Sequence, residues 1–373
     1  MAKLGEVCNV SASTKMIDKS KAWLLNLDMV EQQTGRVVEY NFVGEDGLNG
    51  SITQFDTENV LYSKLRPNLN KVVLPERNGF CTSELLPLRP DARKLDRSYL
   101  AVFLRSDGFV NWAVSKTAGA KMPRLGTKDL LNANIPLPEI KEQKAIAEKF
   151  KKSEELISLR KQQLVKLDEL VKARFVEMFD AISPKKCASK IGECAEVLGG
   201  YAFKSDCFSN QGVPVVRIGN INDGRIDIDY NTCYAEEFWN KNPRFQARKY
   251  DILMAMSGAT TGKVGIYKSD ERLLINQRVA CIRARDDESA IFLFACLQLP
   301  WMYNLVQEAS AGCAQPNISG KQIETMPVPK PETSKVHQFA AFVERVDQQK
   351  QTIQQSLEKL ELMKKVLMQE YFG

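Results

Sequence analysis

The chain has 373 residues, 44% of them hydrophobic, and a net charge of +6, which indicates two or three folded domains and permits a polyanionic partner without requiring one. Its nine cysteines include no Cys-x-x-Cys pair and its only histidine is His337, so a disulfide framework, a metal site and His-dependent catalysis are not expected. With no run of about 18 apolar residues and no apolar signal segment at the start, we expect a cytoplasmic protein that does not contact a membrane.

Two long segments of the chain have the composition of β-rich domains. Residues 1–139 and 184–330 contain short β-branched and aliphatic runs bounded by turns, for example on either side of an Asn-Asp-Gly turn at Asn222–Gly224. Each of these segments is predicted to be a mixed α/β domain with a β-rich core, so that the fold class is α+β.

A long helix is predicted after each β-rich segment. Residues 140–183 contain neither glycine nor proline, and residues 331–373 contain only Pro331 and the final Gly373. Each helix would span roughly 60 Å at the usual rise per residue.

Apolar residues recur every seven positions in both predicted helices. The first has Ile157, Leu164, Val171 and Met178, and the second has Phe339, Val346, Ile353, Leu360 and Leu367. Sustained heptads favour a coiled coil of the two helices over two helices that each pack on their own domain. The residues predicted to pair the helices are Ile157, Leu164, Leu167, Val171, Val346, Ile353, Leu357, Leu360 and Leu367.

The two halves of the chain are an internal repeat with a period of about 192 residues, too long for a solenoid. Val60 corresponds to Ile252, and Lys71 to Lys263. The sequence Ile135–Pro138 returns as Met326–Pro329. The repeat predicts two domains of the same fold, each followed by its own long helix.

The stretch "MSGATTGKVGIY" (Met256–Tyr267) resembles a phosphate-binding loop but has the wrong spacing. Three residues separate Gly258 from Gly262, and Val264 follows Lys263 where a P-loop has Ser or Thr. The corresponding loop of the first half, "LRPNLNKV", has no glycine. Loops that share a position but differ in side-chain chemistry indicate recognition rather than catalysis.

The order of motifs resembles the DNA-specificity subunit of type I restriction–modification systems over nearly the whole chain. The second half contains a "GNI…GRI" hairpin, "NQRV" at Asn276–Val279 and "QPNIS" at Gln315–Ser319. A Pro-x-Pro turn and the long helix follow. The first half has "KMPRLGT" (Lys121–Thr127) in place of "QPNIS" and lacks the "GGYAF" of Gly199–Phe203.

The resemblance implies a non-catalytic subunit with two target-recognition domains, residues 1–139 and 184–330, and two conserved long helices, residues 140–183 and 331–373. Each domain would bind one half of a split site in double-stranded DNA. The helices would dock two methyltransferase subunits and, in the full complex, restriction subunits. S-adenosylmethionine, ATP and Mg²⁺ would be bound by those partners, with no cofactor or metal on this chain.

An antiparallel helix pair is predicted, because only that arrangement gives the repeat a pseudo-twofold axis that mirrors the symmetry of the duplex. Side chains that suit base edges or phosphates are the candidates for DNA contact. In the first half these are Lys64, Arg66, Asn68, Lys71, Lys121 and Arg124. In the second half they are Tyr201, Lys204, Arg217, Asn220, Ser257, Thr260, Thr261, Lys263, Gln277 and Arg278.

Two other functions stay open at this point. The modest net charge leaves room for a scaffold whose paired domains bind proteins instead of DNA. A P-loop-like NTPase is the poorer alternative, because its loop is broken at Lys263.

Overall fold

The computed structural model describes residues 1–15, 23–43, 48, 50–119, 121–222, 224–311, 316–330 and 332–373. Asp223 of the predicted turn, Gln315 of "QPNIS" and Pro331 lie outside the described residues. Contacts divide the chain into two compact units: Met1–Lys161 with Gln355–Gly373, and Gln162–Gln354. The two long helices, α4 (Ile140–Phe179) and α10 (Thr333–Phe372), each contribute to both units. The bounds of the four predicted segments therefore do not coincide with these units and stay predictions.

The first unit is built on two small sheets. Its strands are β1 (Ala2–Lys3), β2 (Cys8–Val10), β3 (Leu24–Leu25), β4 (Ile52–Phe55), β5 (Val60–Ser63), β6 (Val72–Val73), β7 (Gly79–Thr82), β8 (Leu85–Pro90) and β9 (Asn134–Ile135), and its short helices are α1 (Arg97–Leu104), α2 (Asp107–Ser115) and α3 (Thr127–Leu131). The larger sheet is antiparallel in the order β2-β8-β5-β6, and the smaller has the order β3-β7-β4 with β3 parallel to β7. Strands β1 and β9 form a separate pair.

The second unit repeats this plan with additions. Its strands are β10 (Ser189–Lys190), β11 (Ala195–Gly199), β12 (Val213–Val216), β13 (Ile221–Asn222), β14 (Arg225–Ile226), β15 (Cys233–Tyr234), β16 (Ile252–Ala255), β17 (Val264–Ile266), β18 (Leu274–Ile275), β19 (Val279–Ala284) and β20 (Pro327–Val328). Its short helices are α5 (Ile191–Cys194), α6 (Glu236–Lys241), α7 (Asp287–Leu297), α8 (Pro300–Ser310) and α9 (Gly320–Glu324). The sheet β11-β19-β16-β17 matches β2-β8-β5-β6 strand for strand, which confirms the repeat.

Aromatic side chains join the long helices to the core of each unit. In the first unit Phe372, at the end of α10, lies 5.3 Å from Tyr99 and 5.9 Å from Phe103 between ring centroids. In the second unit Phe179, at the end of α4, lies 4.8 Å from Phe292. Phe175 is fully buried there. Buried aromatic pairs of this kind add to the stability already provided by the apolar area they bury.

The helices run antiparallel in both units, as predicted. In the first unit Lys161 pairs with Glu361 at 3.1 Å and Glu154 with Lys364 at 2.8 Å. Residue numbers therefore rise along α4 in the direction in which they fall along α10. In the second unit α4 and α10 are joined by the 2.6 Å ion pair of Asp168 with Lys350 and by the Phe175–Phe339 contact. All nine predicted pairing residues are buried or half-buried.

Helix α4 ends at Phe179, four residues before the predicted end of the segment. Asp180 adopts a left-handed backbone conformation with φ 49°, and a right-handed α-helix cannot continue through a residue in this conformation. Among the described residues no single helix is long and apolar enough to cross a bilayer; α7 and α8 meet that standard only when counted together across a 74° bend.

Arg89 and Arg283 hold the same place in the two large sheets, and each contacts a buried carboxylate. Arg89 of β8 contacts Asp56 at 3.2 Å, and Arg283 of β19 contacts Asp251 at 2.6 Å. Burial raises the pKa of Asp56, but hydrogen bonds from Ser13 and from the Glu58 amide, together with Arg89, outweigh it and hold the pKa at about 2. The charged form of Asp56 therefore stabilises the fold.

Because the folded-state pKa of Asp56 is below its unfolded value, its contribution is complete above about pH 4 and is lost as the pH falls towards 2. We expect Asp56→Asn to remove about 2 kcal/mol from the free energy of unfolding at pH 7, measured by urea denaturation. The control is Asp91→Asn. Asp91 is half-buried, pairs with the exposed Arg93 at 3.3 Å, and its change should have little effect. Equal loss in both variants would contradict this assignment.

We expect Leu360→Asp to weaken the helix pair of the first unit, because it places a charge on the half-buried face of α10. Thermal unfolding followed by circular dichroism should show a loss of about 2 kcal/mol or more. Leu362→Asp is the matched control, since Leu362 is 63% exposed on the same helix. An unchanged melting temperature for Leu360→Asp would contradict its placement in the helix interface.

Candidate nucleic-acid interface

Three separate segments of the first unit meet beside the end of the larger sheet. They are the loop after β5 (64–66), the residue before β8 (Glu84) and the stretch before α3 (123–125). The Lys64 amide donates to the Glu84 carbonyl at 3.1 Å, and the Leu125 amide donates to the Lys64 carbonyl at 2.9 Å. The Arg66 amide donates to the Pro123 carbonyl at 2.8 Å. We call this arrangement the three-segment platform.

The second unit builds the same platform from residues 256–258, Arg278 and residues 316–318. The Met256 amide donates to the Arg278 carbonyl at 2.9 Å, and the Ile318 amide donates to the Met256 carbonyl at 2.9 Å. The Gly258 amide donates to the Pro316 carbonyl at 3.1 Å. All three hydrogen bonds repeat those of the first unit in position and direction, so the backbone frame is common to both.

The side chains on the two platforms are different. Glu84 occupies the place of Arg278. The backbone carbonyl of each accepts a hydrogen bond from the amide of the first residue after the strand, Lys64 after β5 and Met256 after β16. Arg124 occupies the place of Asn317, because Leu65 and Arg124 form an isolated antiparallel β-bridge, as Ser257 and Asn317 do in the second unit.

Arg66 occupies the place of Gly258, and both adopt a left-handed backbone, with φ 49° and 76°. This conformation strains a residue other than glycine by about 1 to 3 kcal/mol. The surrounding hydrogen bonds hold Arg66 in it.

Most candidate residues of the first half lie on or near its platform. Arg66, Asn68, Lys121 and Arg124 are exposed, and Lys64 is half-buried. The Arg124 guanidinium contacts the Glu84 carboxylate twice, at 2.9 and 3.3 Å.

Lys71 is the exception in the first half. Its ammonium donates to the Leu27 carbonyl at 2.5 Å inside the unit, and burial lowers its pKa. The Lys71 ammonium is therefore engaged inside the unit, although the backbone positions of Lys71 and Lys263 correspond. The contact of Lys71 with DNA stays a prediction. Lys263 is exposed.

Several candidates of the second half converge on neighbouring strand ends. The Tyr201 amide donates to the Ile275 carbonyl, and the Gln277 amide donates to the Tyr201 carbonyl, both at 2.8 Å. Arg217 follows β12 and is held by the Thr232 hydroxyl at 3.0 Å and the Asp229 carboxylate at 3.4 Å. Gln277 and Arg278 are exposed beside them, as is Lys204 on the segment after Tyr201.

Asn220 has a structural role within this region. Its side-chain carbonyl accepts a hydrogen bond from the Arg217 amide at 2.8 Å. The amide nitrogen of the same side chain is the part of Asn220 that is left for a ligand.

Three residues of the second half that are predicted to contact DNA have buried hydroxyl groups. Thr261 is 2% exposed and its hydroxyl donates to the Gly258 carbonyl at 2.7 Å. The hydroxyl oxygens of Ser257 and Thr260 are also buried, and have no hydrogen-bond partner within the described part of the chain. The tight turn at Gly258 directs these side chains inward, so none of the three presents its hydroxyl to a duplex.

Three features near the platforms were not predicted from the sequence: Glu84, Asn317 and the aromatic cluster that surrounds the predicted residue Tyr201. Glu84 and Asn317 belong to the platforms, and continuing the repeat alignment through "PRLG" and "PNIS" would have found Asn317. Tyr201 is 37% exposed and lies at the edge of an aromatic cluster, with ring centroids 4.7 Å from Phe238 and 5.2 Å from Phe245. The cluster links residues more than 30 positions apart, for which no local pattern exists.

Apart from the half-buried carboxylate of Glu84, the exposed groups of the platforms are hydrogen-bond donors, amides and positive charges. Such groups suit phosphates and the base edges of nucleic acid. The amides of the 258–263 loop, by contrast, are used inside the unit: Gly262 donates to Ala255 at 2.9 Å, and Lys263 to Thr260 at 3.0 Å. A phosphate cradle requires such amides to point outward, so the loop does not have the geometry of a P-loop.

The chain is similar to proteins of one family. The profile of the type I restriction modification DNA specificity domain matches residues 1–169 and 185–362. The MjaVIII specificity subunit of Methanocaldococcus jannaschii is 26% identical over 315 residues, 78% of this chain and 73% of that protein. The EcoDI specificity subunit of Escherichia coli is 27% identical over 145 residues, 39% of this chain and 32% of that protein.

Solved structures have the same fold. The type I restriction–modification S subunit of M. genitalium aligns with a TM-score of 0.60 at 15% identity, over 100% of this chain and 95% of that one. A chain from a study of complex assembly in the type I R-M system aligns with a TM-score of 0.59 at 20% identity, over 100% and 96%. The two matches of the family profile cover both repeats of the chain and agree with the resemblance seen in the sequence. The chain belongs to the type I restriction–modification DNA specificity family, as a DNA-recognition subunit without catalytic function of its own.

Proposed function

We propose that this chain reads a split target in double-stranded DNA, with one half-site bound by each unit, and that its helices dock the subunits that carry out the chemistry. The observation that carries the proposal is the platform itself. It is built twice with the same backbone hydrogen bonds and carries a different set of side chains each time. A common frame with different donors is what two readers of two different sequences need.

Charge on the exposed residues supports DNA as the ligand. In the first unit Arg66, Lys121 and Arg124 are exposed near one platform. In the second unit Lys263 and Arg278 are exposed near the other. The modest net charge of the whole chain therefore conceals local positive surfaces, which weakens the protein-scaffold alternative.

The exposed faces of the long helices support docking of partner subunits. Leu156 and Leu159 on α4 are 46% and 54% exposed, and Leu362 and Val366 on α10 are 63% and 56% exposed. The two residues on each helix are three or four positions apart and therefore share a face of that helix. Large apolar side chains clustered on a surface are typical of protein interfaces. We assign this surface to two methyltransferase subunits, with restriction subunits joining in the full complex.

The chemistry of the complex would then belong to the partners. We propose that S-adenosylmethionine is bound by the methyltransferase subunits, and ATP with Mg²⁺ by the restriction subunits. This chain supplies DNA selection and the geometry of assembly.

The methylation pattern of a genome tests the DNA-reading proposal directly. The chain should be co-expressed with the methyltransferase subunit of its own system in a bacterium that lacks adenine methylation, and the genome sequenced by a single-molecule method. We expect a split motif with one methyladenine in each strand. The purified complex should bind a duplex carrying that motif with an affinity that falls steeply with salt, because phosphate contacts release counterions. A complex that assembles but neither modifies DNA nor binds it in a salt-dependent manner would support the scaffold alternative.

Docking on the exposed helix face is tested with Leu362→Asp. We expect this variant to keep its melting temperature and to lose methyltransferase binding by about tenfold or more, because a charge replaces an apolar interface side chain. Lys359→Asp on the exposed surface of α10 is the control for added negative charge. Unchanged binding of the Leu362→Asp variant in analytical ultracentrifugation would exclude this part of α10 from the interface.

A further inference from the structure

One feature of the first platform has no counterpart in the second. Glu84 places a carboxylate among the positive charges of a surface assigned to DNA, at the position that Arg278 occupies in the other unit. A negative charge there opposes phosphate binding, so a physical reason for its presence is needed.

Stability does not supply that reason. The side chains of Arg124 and Glu84 are 47% and 25% exposed, and ion pairs this accessible to solvent contribute little to the free energy of unfolding. The backbone of Glu84 is already fixed by the hydrogen bond that its carbonyl accepts from Lys64. The platform therefore does not require the carboxylate.

The geometry of the pair determines the orientation of the arginine. Arg124 Nη2 lies 2.9 Å from Glu84 Oε1 and Arg124 Nε lies 3.3 Å from Glu84 Oε2, so one edge of the guanidinium is bound at two points. Two of the five N–H donors of Arg124 are used in this way and three remain. They lie on the planar group that Glu84 orients. A pair of parallel N–H donors matches the O6 and N7 acceptors that guanine presents in the major groove.

We propose that Glu84 is a positioning residue that aims Arg124 at a guanine in the half-site read by the first unit. The carboxylate also increases sequence specificity in a second way. It holds Arg124 away from the phosphates, which carry no sequence information, and repels them itself. The inference rests on the proposed DNA-reading function and adds a base, a residue pair and a single half-site to it.

The second unit provides an internal comparison. Its platform has Arg278 in place of Glu84 and Asn317 in place of Arg124, so among the described residues of that platform no carboxylate aims an arginine. Changes at Glu84 should therefore alter one half of the split motif and leave the other half unchanged.

The test compares genome methylation and duplex binding for the co-expressed complex of wild type and Glu84→Gln. In the variant we expect selectivity for one guanine to fall by about tenfold, within the range a bidentate base contact provides. The second half of the motif should be unchanged. Released Arg124 should reach a phosphate, so the salt dependence of binding to random duplex should steepen by about one in log–log slope. Asp91→Asn removes the same charge at the far end of β8 and should change neither measurement.

Two further variants separate aiming from a structural role. Arg124→Lys keeps the charge but lacks the planar fork, and should lose the same guanine. The double exchange Glu84→Arg with Arg124→Glu keeps an ion pair at this place and should not restore the guanine. A structural ion pair would be rescued by the exchange, which would overturn the proposal.

Other outcomes are equally decisive. An unchanged motif and salt slope in Glu84→Gln, or a wild-type motif without a guanine–cytosine pair in one half, would overturn the proposal. If Glu84→Gln fails to fold, an intact motif in Arg124→Lys would do the same. Absence of any split motif in wild type would instead show that the proposed function is wrong, so the two failures are distinguishable.

Discussion

Each unit completes its hydrophobic core with the last turns of a helix that begins in the other unit. Phe372 ends α10 against Tyr99 and Phe103 of the first unit, and Phe179 ends α4 against Phe292 of the second. Neither core is complete without a helix end supplied from the other half of the chain. The stability of each unit and the antiparallel helix pair therefore depend on one another, and a break in the helix pair would affect both.

The platforms depend on this frame in a different way. Three backbone hydrogen bonds fix each platform, and none of them involves a side chain. Side chains can therefore change without loss of the frame, as the exchange of Arg66 for Gly258 and of Arg124 for Asn317 between the two units demonstrates. Arg66 retains the backbone conformation of Gly258 at some cost in strain. A surface built in this manner can acquire new sequence preferences while its fold is preserved.

Function divides along the same line. Arg89 and Arg283 hold equivalent places in the two sheets, and their contacts with the buried carboxylates of Asp56 and Asp251 serve the fold. The Arg124–Glu84 pair is exposed and occurs in one unit only. Ion pairs of similar composition thus stabilise the sheet when buried and orient a donor when exposed, because burial decides whether the charges are coupled to folding or to a ligand.

The heptad periodicity of the long helices and the internal repeat of the chain could be identified from the amino-acid sequence alone. The heptads of α4 and α10, the matched strands around Val60 and Ile252, and the resemblance to a family of DNA-specificity subunits all follow from patterns that are local or simply repeated. The inward direction of Ser257, Thr260 and Thr261 did not follow, because it depends on a turn at Gly258.

The tertiary structure decided the rest. A heptad pattern reads the same in both directions, so the three ion pairs between the helices were needed to establish that α4 and α10 are antiparallel. The meeting of Lys64, Glu84 and Arg124 joins residues up to 60 positions apart. Sequence determined which residues are available to each unit, and folding determined which of them share a surface, since long-range contacts leave no periodic signal along the chain.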